Sequence, residues 1–473
     1  MSIKFGTDGW RALVNQDFTD DNVRICAQAV CDYMKSNNIS HTGLIIGYDT
    51  RASSHNFAKS VAEVAAGNNI PVMLCQDPCP TPAVSYNLVL RECGAGVVIT
   101  ASHNSADWNG FKFKPGYGGS ASSEIIFNLE KHLHQIEKTN FVHSVSFEKG
   151  KSSGLIELID PKTTYLNRLA ELVDLSAIRN SGLNIVIDSM YGAGSGYFSE
   201  LISGGNNKIK EIRSEFSPTF PGLTQPEPIE NNLHPLMHEV IDFNADIGLA
   251  TDGDADRLGI VDENGNYVST LISFSLLCQH LIENLSMKGP IIKSVTMTNM
   301  INKLAELNKV EVIETPVGFK NLGPVFMEQE GLAAGEESGG YAFQGHIPER
   351  DGLLSGLLIL DMMIKTQSTI SELIEKLTNK VGEHFYIRSD IPFEHSKRKE
   401  IDNILKNRSF NSISGININN VNEEDGFKFN LQNDSWVLVR FSGTEPLLRL
   451  HAESNSQDHV ESLIEDIKTN LNL

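Results

Sequence analysis

Short apolar, β-branched runs alternate with amphipathic stretches along most of the chain. Residues 43–49 (GLIIGYD) read as a buried strand, and 53–68 follow with Phe57, Val61, Val64 and Ala65 at helical spacing. Residues 96–100 (GVVIT) predict another strand, and 122–136 a helix with Ile126, Leu129, Leu133 and Ile136 on one face. The pattern recurs, with a helix at 160–174 and strands at 184–188, 246–250, 259–261, 290–295 and 310–314. Helices fall near 271–286, 300–307 and 352–366. This order predicts mainly parallel sheets covered by helices, in about three α/β units of similar size. No motif repeats clearly between them.

The last ~90 residues read differently. Helices at 370–380 and 396–407 precede a polar stretch, 411–422, and strands at 436–440 and 447–452 follow. A closing helix carries Val460, Leu463, Ile464 and Ile467. This predicts a small α+β domain. Soft joints at 148–154, 253–257 and 378–384 give expected domains at 1–150, 151–254, 255–378 and 379–473.

Composition narrows the class. The 473 residues are enough for three or four domains, and 40% apolar with 21% charged residues is ordinary for a globular chain. A net charge of −21 argues against a nucleic-acid binder or a protein recruited to anionic membranes. No export segment is visible at the N-terminus, and the longest apolar run, 353–364, is too short to span a bilayer. The six cysteines form no CxxC pair, so reduced thiols and a cytoplasmic location are expected. Cys75 and Cys79 have no second Cys/His pair to complete a metal site. No P-loop or GxGxxG fingerprint follows a strand, so ATP, GTP and NAD have no support in the sequence.

Five stretches carry candidate chemistry. In ATDGDADR (250–257), Asp252, Asp254 and Asp256 alternate just after an apolar strand. Three carboxylates converging on one point repel unless a hard cation sits among them, and oxygen ligands favour Mg²⁺. The alternative is a solvated Asx-rich turn. In VITASHN (98–104) with NGFK (109–112), Ser102 lies at the carboxyl end of a strand, where α/β sheets place ligands. It reads as a nucleophile or phosphate carrier, or as an ordinary strand-end cap. The GxSxG elbow of a hydrolase is absent. Side-chain alternation on a strand would turn His103 away from Ser102.

GEESGG (335–340) offers Glu336 and Ser338 beside permissive glycines, which suits a polyol, or makes a turn. RFSGTE (440–445), then Arg449, combines arginines, hydroxyls and a glycine-supported loop. That describes a phosphate site or a solvated hairpin. FGTDGWR (5–11) alone reads as a glycine-rich turn.

Together and in this order, the five stretches resemble the α-D-phosphohexomutase family, over residues 5 to 449. The resemblance implies four domains around a central cleft, three of related α/β topology with mixed, mainly parallel sheets and a C-terminal α+β domain. It implies Ser102 as a phosphoserine, with Asp252, Asp254, Asp256 and a phosphoserine oxygen holding Mg²⁺. Arg11, Lys112 and His103 would line the reaction centre. Arg257, Lys293, Thr315, Lys320, Glu336 and Ser338 would contact the sugar, and Arg440, Ser442, Gly443, Thr444 and Arg449 the distal phosphate. Glucose 1,6-bisphosphate would be the intermediate, and a hexose phosphate the substrate of a monomer or weak homodimer.

GEESGG, TPVGFK (315–320) and GHIPERDG (345–352) look most like the phosphoglucomutase branch. Gly340 stands where dual-specificity relatives often carry histidine, Ser105 where the family has proline, and Ala12 where a glycine is common. Phosphomannomutase or dual-specificity activity is the alternative. The phosphoglucosamine mutase and acetylglucosamine-phosphate mutase branches, which differ in the sugar loop, rank lower, and a metal-dependent sugar phosphatase and a non-catalytic sugar-phosphate binder are the remaining rivals. Because Arg11 stays protonated near neutral pH, Lys112 is the expected proton-transfer group.

Overall fold

The computed structural model describes all residues except Met1, Ser2, Thr7, Asn140, Glu394, Arg408, Ser409 and 443–446, and the side chain of His395. Four sheets follow one another along the chain. The first has six strands, in the order Trp10–Leu13, Trp108–Pro115, Ala95–Ile99, Leu44–Tyr48, Val72–Cys75 and Ile156–Ile159. The last four of these run parallel and the first two antiparallel. Leu44–Tyr48 and Ala95–Ile99 are buried at every position, as their unbroken apolar runs require.

The second sheet orders Tyr267–Val268, Leu258–Val261, Ile247–Thr251, Asn184–Asp188 and Lys208–Ile212. It corrects the boundary expected at 254/255. Ile247–Thr251 and Leu258–Val261 pair antiparallel in one hairpin, so the tri-aspartate stretch is the tip of a hairpin and not a joint. Likewise, Ile156–Ile159 adds to the first sheet beyond the expected limit at 150. The third sheet holds Val312–Thr315, Ile291–Ser294, Ala333–Gly335 and Tyr341–Phe343.

The fourth sheet is antiparallel throughout, beginning with Phe385–Pro392 beside Leu447–Ser454. The polar stretch at 411–422 forms its far strands, Ser412–Ile413 and Ile416–Asn422. An edge strand with one solvated face accepts asparagines that a buried strand would not, which is why composition alone showed only a polar stretch there. The apolar run at 353–364 lies within the helix Gly352–Thr366, whose first turn is capped by the Asp351 carboxylate on Leu354 N at 2.8 Å. Among the described residues no single helix is long and apolar enough to cross a membrane.

The fourth domain docks on the third through Trp436 and Leu438, which pack with Val295. A buried polar seam runs beside them. Tyr386 Oη lies 2.6 Å from His451 Nδ1, and Glu337 Oε2 lies 3.8 Å from the same nitrogen. Burial, reinforced by Arg388, pushes the His451 imidazole down from 6.5 to about 3. The folded state therefore leaves His451 neutral in a range where the unfolded chain protonates it. Stability contributed by this group is intact above pH 6.5 and declines as pH falls towards 3. Urea midpoints of His451→Gln should accordingly fall less between pH 7 and pH 4.5 than those of the parent. The difference is at most ~1.4 kcal/mol per pH unit.

Candidate active site

Ser102 and Asp252 are 150 positions apart in sequence, yet Ser102 Oγ donates to Asp252 Oδ2 at 2.8 Å. Both side chains are fully buried. The chain leaves the strand Ala95–Ile99 and turns sharply, with Ser102 in the left-handed region at φ 51°. Thr100 Oγ1 accepts Ser102 N at 2.8 Å and stabilises that turn. The turn also corrects the expectation for His103. The two residues are not on an extended strand, so alternation does not separate them, and His103 Nδ1 lies 3.4 Å from Ser102 Oγ. Burial, then Arg257, Arg11 and Lys112, hold the His103 imidazole well below its usual range and hence neutral.

A residue that the sequence reading passed over fixes this loop. Buried Arg51 donates through Nη2 to Ser102 O at 2.8 Å and Asn104 O at 2.6 Å. Through Nη1 it donates to Trp108 O at 3.1 Å, and its Nε is held by Asp49 at 2.9 Å. One guanidinium thus satisfies several loop carbonyls at once. The sequence did carry a signal: Asp49 and Arg51 directly follow the buried run at the carboxyl end of a strand.

The acidic hairpin tip meets the serine loop closely. A Cβ at Gly253 would lie 2.5 Å from Ser102 O, so only glycine permits this approach. The tip is wound tightly, with Ala255 at φ 56° and Asp252 Oδ1 accepting Asp256 N at 3.0 Å. Asp252, Asp254 and Asp256 each offer an oxygen within 4.8 Å of the others, all buried. Oδ1 of Asp254 and Oδ1 of Asp256 have no hydrogen-bond partner although both are buried. Burial, and then the charges of Asp256 and Asp254, raise Asp252 well above the ordinary carboxylate range. Orphaned acceptors and mutual repulsion at one point fit a divalent cation held by oxygen.

Cations surround this cluster. Lys112 Nζ lies 2.8 Å from Asp254, 3.1 Å from Asp256 and 2.8 Å from Asp8. Although burial opposes it, this triple pairing raises the Lys112 ammonium above its usual range. Lys112 is therefore held protonated, the form that can donate a proton but not accept one. His103, neutral and beside the serine, is in the form that can accept one. Arg11 bonds Asn104 Oδ1 at 2.8 Å, and Arg257 pairs with Glu227 at 2.8 Å. Asp8, Thr81, Glu227 and Arg350 join the cluster unpredicted; Thr81 Oγ1 donates to Asp254 Oδ2 at 2.5 Å.

Arg350 explains one departure noted in the sequence. It pairs with Asp256 at 2.8 Å and with Asp8 at 2.5 Å. A Cβ at Gly340 would lie 2.4 Å from Arg350 Cδ. The guanidinium stem fills the space a side chain at 340 would need, so a histidine there is sterically displaced by this arginine.

The sugar-loop candidates divide. Glu336 Oε1 accepts Gly318 N at 2.8 Å, and burial raises its carboxyl above the ordinary range. Ser338 is half-buried in the same loop. Thr315 is buried, with Oγ1 on Pro316 O at 3.2 Å, and Lys320 is half-buried one residue into the helix Phe319–Glu328. Lys293 stands apart. It is fully buried, spends its ammonium on Thr298 O at 3.0 Å and Asn302 Oδ1 at 2.5 Å, and lies 3.6 Å from Glu314. In the fourth domain, Arg440 and Arg449 are register partners on adjacent strands, and Ser442 N donates to Leu447 O at 2.8 Å. Gly443 and Thr444 lie outside the described residues.

Comparison with known proteins agrees with this architecture. Four consecutive family models match: phosphoglucomutase/phosphomannomutase alpha/beta/alpha domain I at residues 2–140, domain II at 163–265, domain III at 264–381, and the C-terminal domain at 394–469. The chain belongs to the α-D-phosphohexomutase family. It is an enzyme of the phosphohexomutase type, an intramolecular phosphotransferase. A probable phosphoglucosamine mutase of Pyrococcus abyssi is 30% identical over 98% of this chain and 97% of its own. A phosphoglucomutase/phosphomannomutase of Thermococcus kodakarensis is 28% identical over 98% and 97%. The crystal structure of a candidate phosphomannomutase from Thermus thermophilus superposes with a TM-score of 0.86 at 27% identity, over 100% of both chains.

Two expectations follow from the geometry. Gly253→Ala should force the acidic tip away from Ser102 and lower kcat at least ~10²-fold in a steady-state assay, with far-UV circular dichroism unchanged. Millimolar Mg²⁺ should raise the melting temperature of the parent protein, and Asp254→Asn should abolish most of that rise.

Proposed function

We propose that this phosphohexomutase is a phosphoglucomutase, interconverting glucose 1-phosphate and glucose 6-phosphate. The observation that carries the reading is the buried 2.8 Å contact between Ser102 Oγ and Asp252, set against orphaned oxygens of Asp254 and Asp256. Asp252, Asp254 and Asp256 would hold Mg²⁺, which supplies charge stabilisation for a phosphoryl group carried on Ser102.

Ser102, as its phosphate ester, loses PO₃ to a hydroxyl of the bound hexose phosphate. The serine oxygen–phosphorus bond breaks and a sugar oxygen–phosphorus bond forms, giving glucose 1,6-bisphosphate. The hydroxyl proton passes to a nearby base, for which neutral His103 is the best-placed group. Arg11, Lys112 and Arg257 lower the cost of charge on the transferring oxygens. The bisphosphate then turns end for end, and its other phosphoryl returns to Ser102. Glu336 and Ser338 orient the sugar in both poses, while Arg440, Ser442 and Arg449 take the phosphate that is not reacting, turning remote binding energy into alignment. Burial of Ser102 limits attack by water, which favours transfer over hydrolysis.

The choice of glucose rests on the sugar-loop sequence, GEESGG at 335–340 with TPVGFK at 315–320. Relatives named for glucosamine, glucose and mannose phosphates keep a second reading open, that of a mutase for another hexose. Pure protein supplied with Mg²⁺ and catalytic glucose 1,6-bisphosphate should convert glucose 1-phosphate faster than mannose 1-phosphate or glucosamine 1-phosphate. Faster turnover of either competitor would reassign the substrate, and release of free phosphate outpacing isomerisation would make it a phosphatase. Ser102→Ala should lose at least ~10³-fold in kcat while melting at an unchanged temperature.

A further inference from the structure

Two carboxylates from different domains grip consecutive backbone amides of one loop. Glu336, in the sugar loop of the third domain, accepts Gly318 N at 2.8 Å. Asp425, in the fourth domain, accepts Val317 N through Oδ2 at 2.8 Å. The other oxygen of Asp425 accepts Arg440 Nε at 2.8 Å. An unbroken series therefore runs from the distal-phosphate arginine, through Asp425 and the 317–318 amides, to the sugar-gripping glutamate.

The turn that carries Asp425 is built for this contact. It lies between the strands Ile416–Asn422 and Phe427–Leu431, and Asp425 comes immediately before Gly426. Gly426 has φ 96°, and a Cβ on it would meet Val439 O at 2.5 Å. Only glycine lets this turn fold down onto the strand that carries Arg440. The same hairpin is fastened to the third domain by Lys428, which bonds Glu314 Oε2 at 2.6 Å and lies 4.6 Å above the Trp436 ring. On the other side, Gly318 allows the loop its turn at φ 110°, and Pro316 stiffens it.

We propose that Asp425 is a positioning residue that latches the distal-phosphate strand to the sugar loop, so that a hexose phosphate is held by both ends at one fixed separation. The inference rests on the reading of Arg440 and Glu336 as substrate contacts. With Nε of Arg440 committed to Asp425, the guanidinium's orientation is set before substrate arrives, and its remaining donors suit a phosphate. Meanwhile Asp425 places negative charge beside the anion, a local cost to phosphate affinity. The latch thus works against a bare phosphate and in favour of a ligand that spans both loops.

This opposition gives the test. Binding of glucose 1-phosphate and of inorganic phosphate is measured by calorimetry on the whole protein, for the parent, Asp425→Ala and Asp425→Asn. Asp425→Ala should weaken glucose 1-phosphate about 10-fold, the effect of losing two hydrogen bonds, while inorganic phosphate binds equally well or more tightly. Asp425→Asn keeps an acceptor for Val317 N and should recover glucose 1-phosphate binding to within about 3-fold of the parent. In turnover, KM should rise more than kcat falls.

An unchanged glucose 1-phosphate affinity in Asp425→Ala would overturn the proposal. So would parallel weakening of both ligands, which would mean a collapsed phosphate loop. If Asp425→Ala does not fold, Val317→Pro removes the same amide from the other side and should weaken glucose 1-phosphate alone. A parent that binds glucose 1-phosphate without isomerising it would sink the functional reading and leave the latch standing.

Discussion

Three aspartates are buried around a single point, and that placement governs the centre of the molecule. Carboxylates in a water-excluded site repel one another and lose their hydration, a cost that must be met by positive charge. Lys112 and Arg350 meet part of it by direct contact with Asp254 and Asp256, and Arg257 flanks the loop beside Asp252 and Asp256. The unpartnered oxygens left over define where a divalent ion fits. The neighbouring structure is arranged to tolerate the cluster. Two antiparallel strands hold the hairpin tip, Gly253 lets it touch the serine loop, and Arg51 locks that loop in a left-handed turn.

Apart from Arg257, which the acidic loop itself supplies, the cations come from far away in the sequence. Lys112 enters on a strand of the first domain, Asp254 on a hairpin of the second, and Arg350 on a loop before the long buried helix of the third. Each domain contributes a rigid edge, and the charges meet only when the domains are docked. The fourth domain differs: it touches the cluster at one remove, through Asp425, the 317–318 amides and Glu336.

Lys112 illustrates how the tertiary setting alters a side chain's chemistry. By type, a lysine near a reacting hydroxyl is a reasonable proton carrier. In place, three carboxylates at 2.8 to 3.1 Å hold it charged, so it can donate a proton but not accept one. His103 moves in the opposite sense. Burial and the nearby Arg257, Arg11 and Lys112 outweigh the Glu227 carboxylate 4.0 Å from its ring, which keeps it neutral and able to accept a proton.

The alternation of apolar runs and amphipathic stretches was enough to determine the α/β class, the buried parallel strands and the helices that cover them, because burial on both faces demands unbroken β-branched sequence. The spacing of Asp252, Asp254 and Asp256, and the place of Ser102 at a strand end, likewise marked residues that the fold brings together, since both are local features of a few residues. Tertiary structure alone decided which distant charges would share that point. Asp8, Arg51, Thr81 and Arg350 have no local pattern that announces them, and Asp425 stands in an acidic, outwardly ordinary turn. The strand Trp108–Pro115 was hidden for the same reason: its buried lysines look like solvent-facing residues until the acids that neutralise them arrive from other domains. Periodicity reports how a segment meets water, whereas a pairing across 142 or 235 positions depends on where the whole chain returns in space.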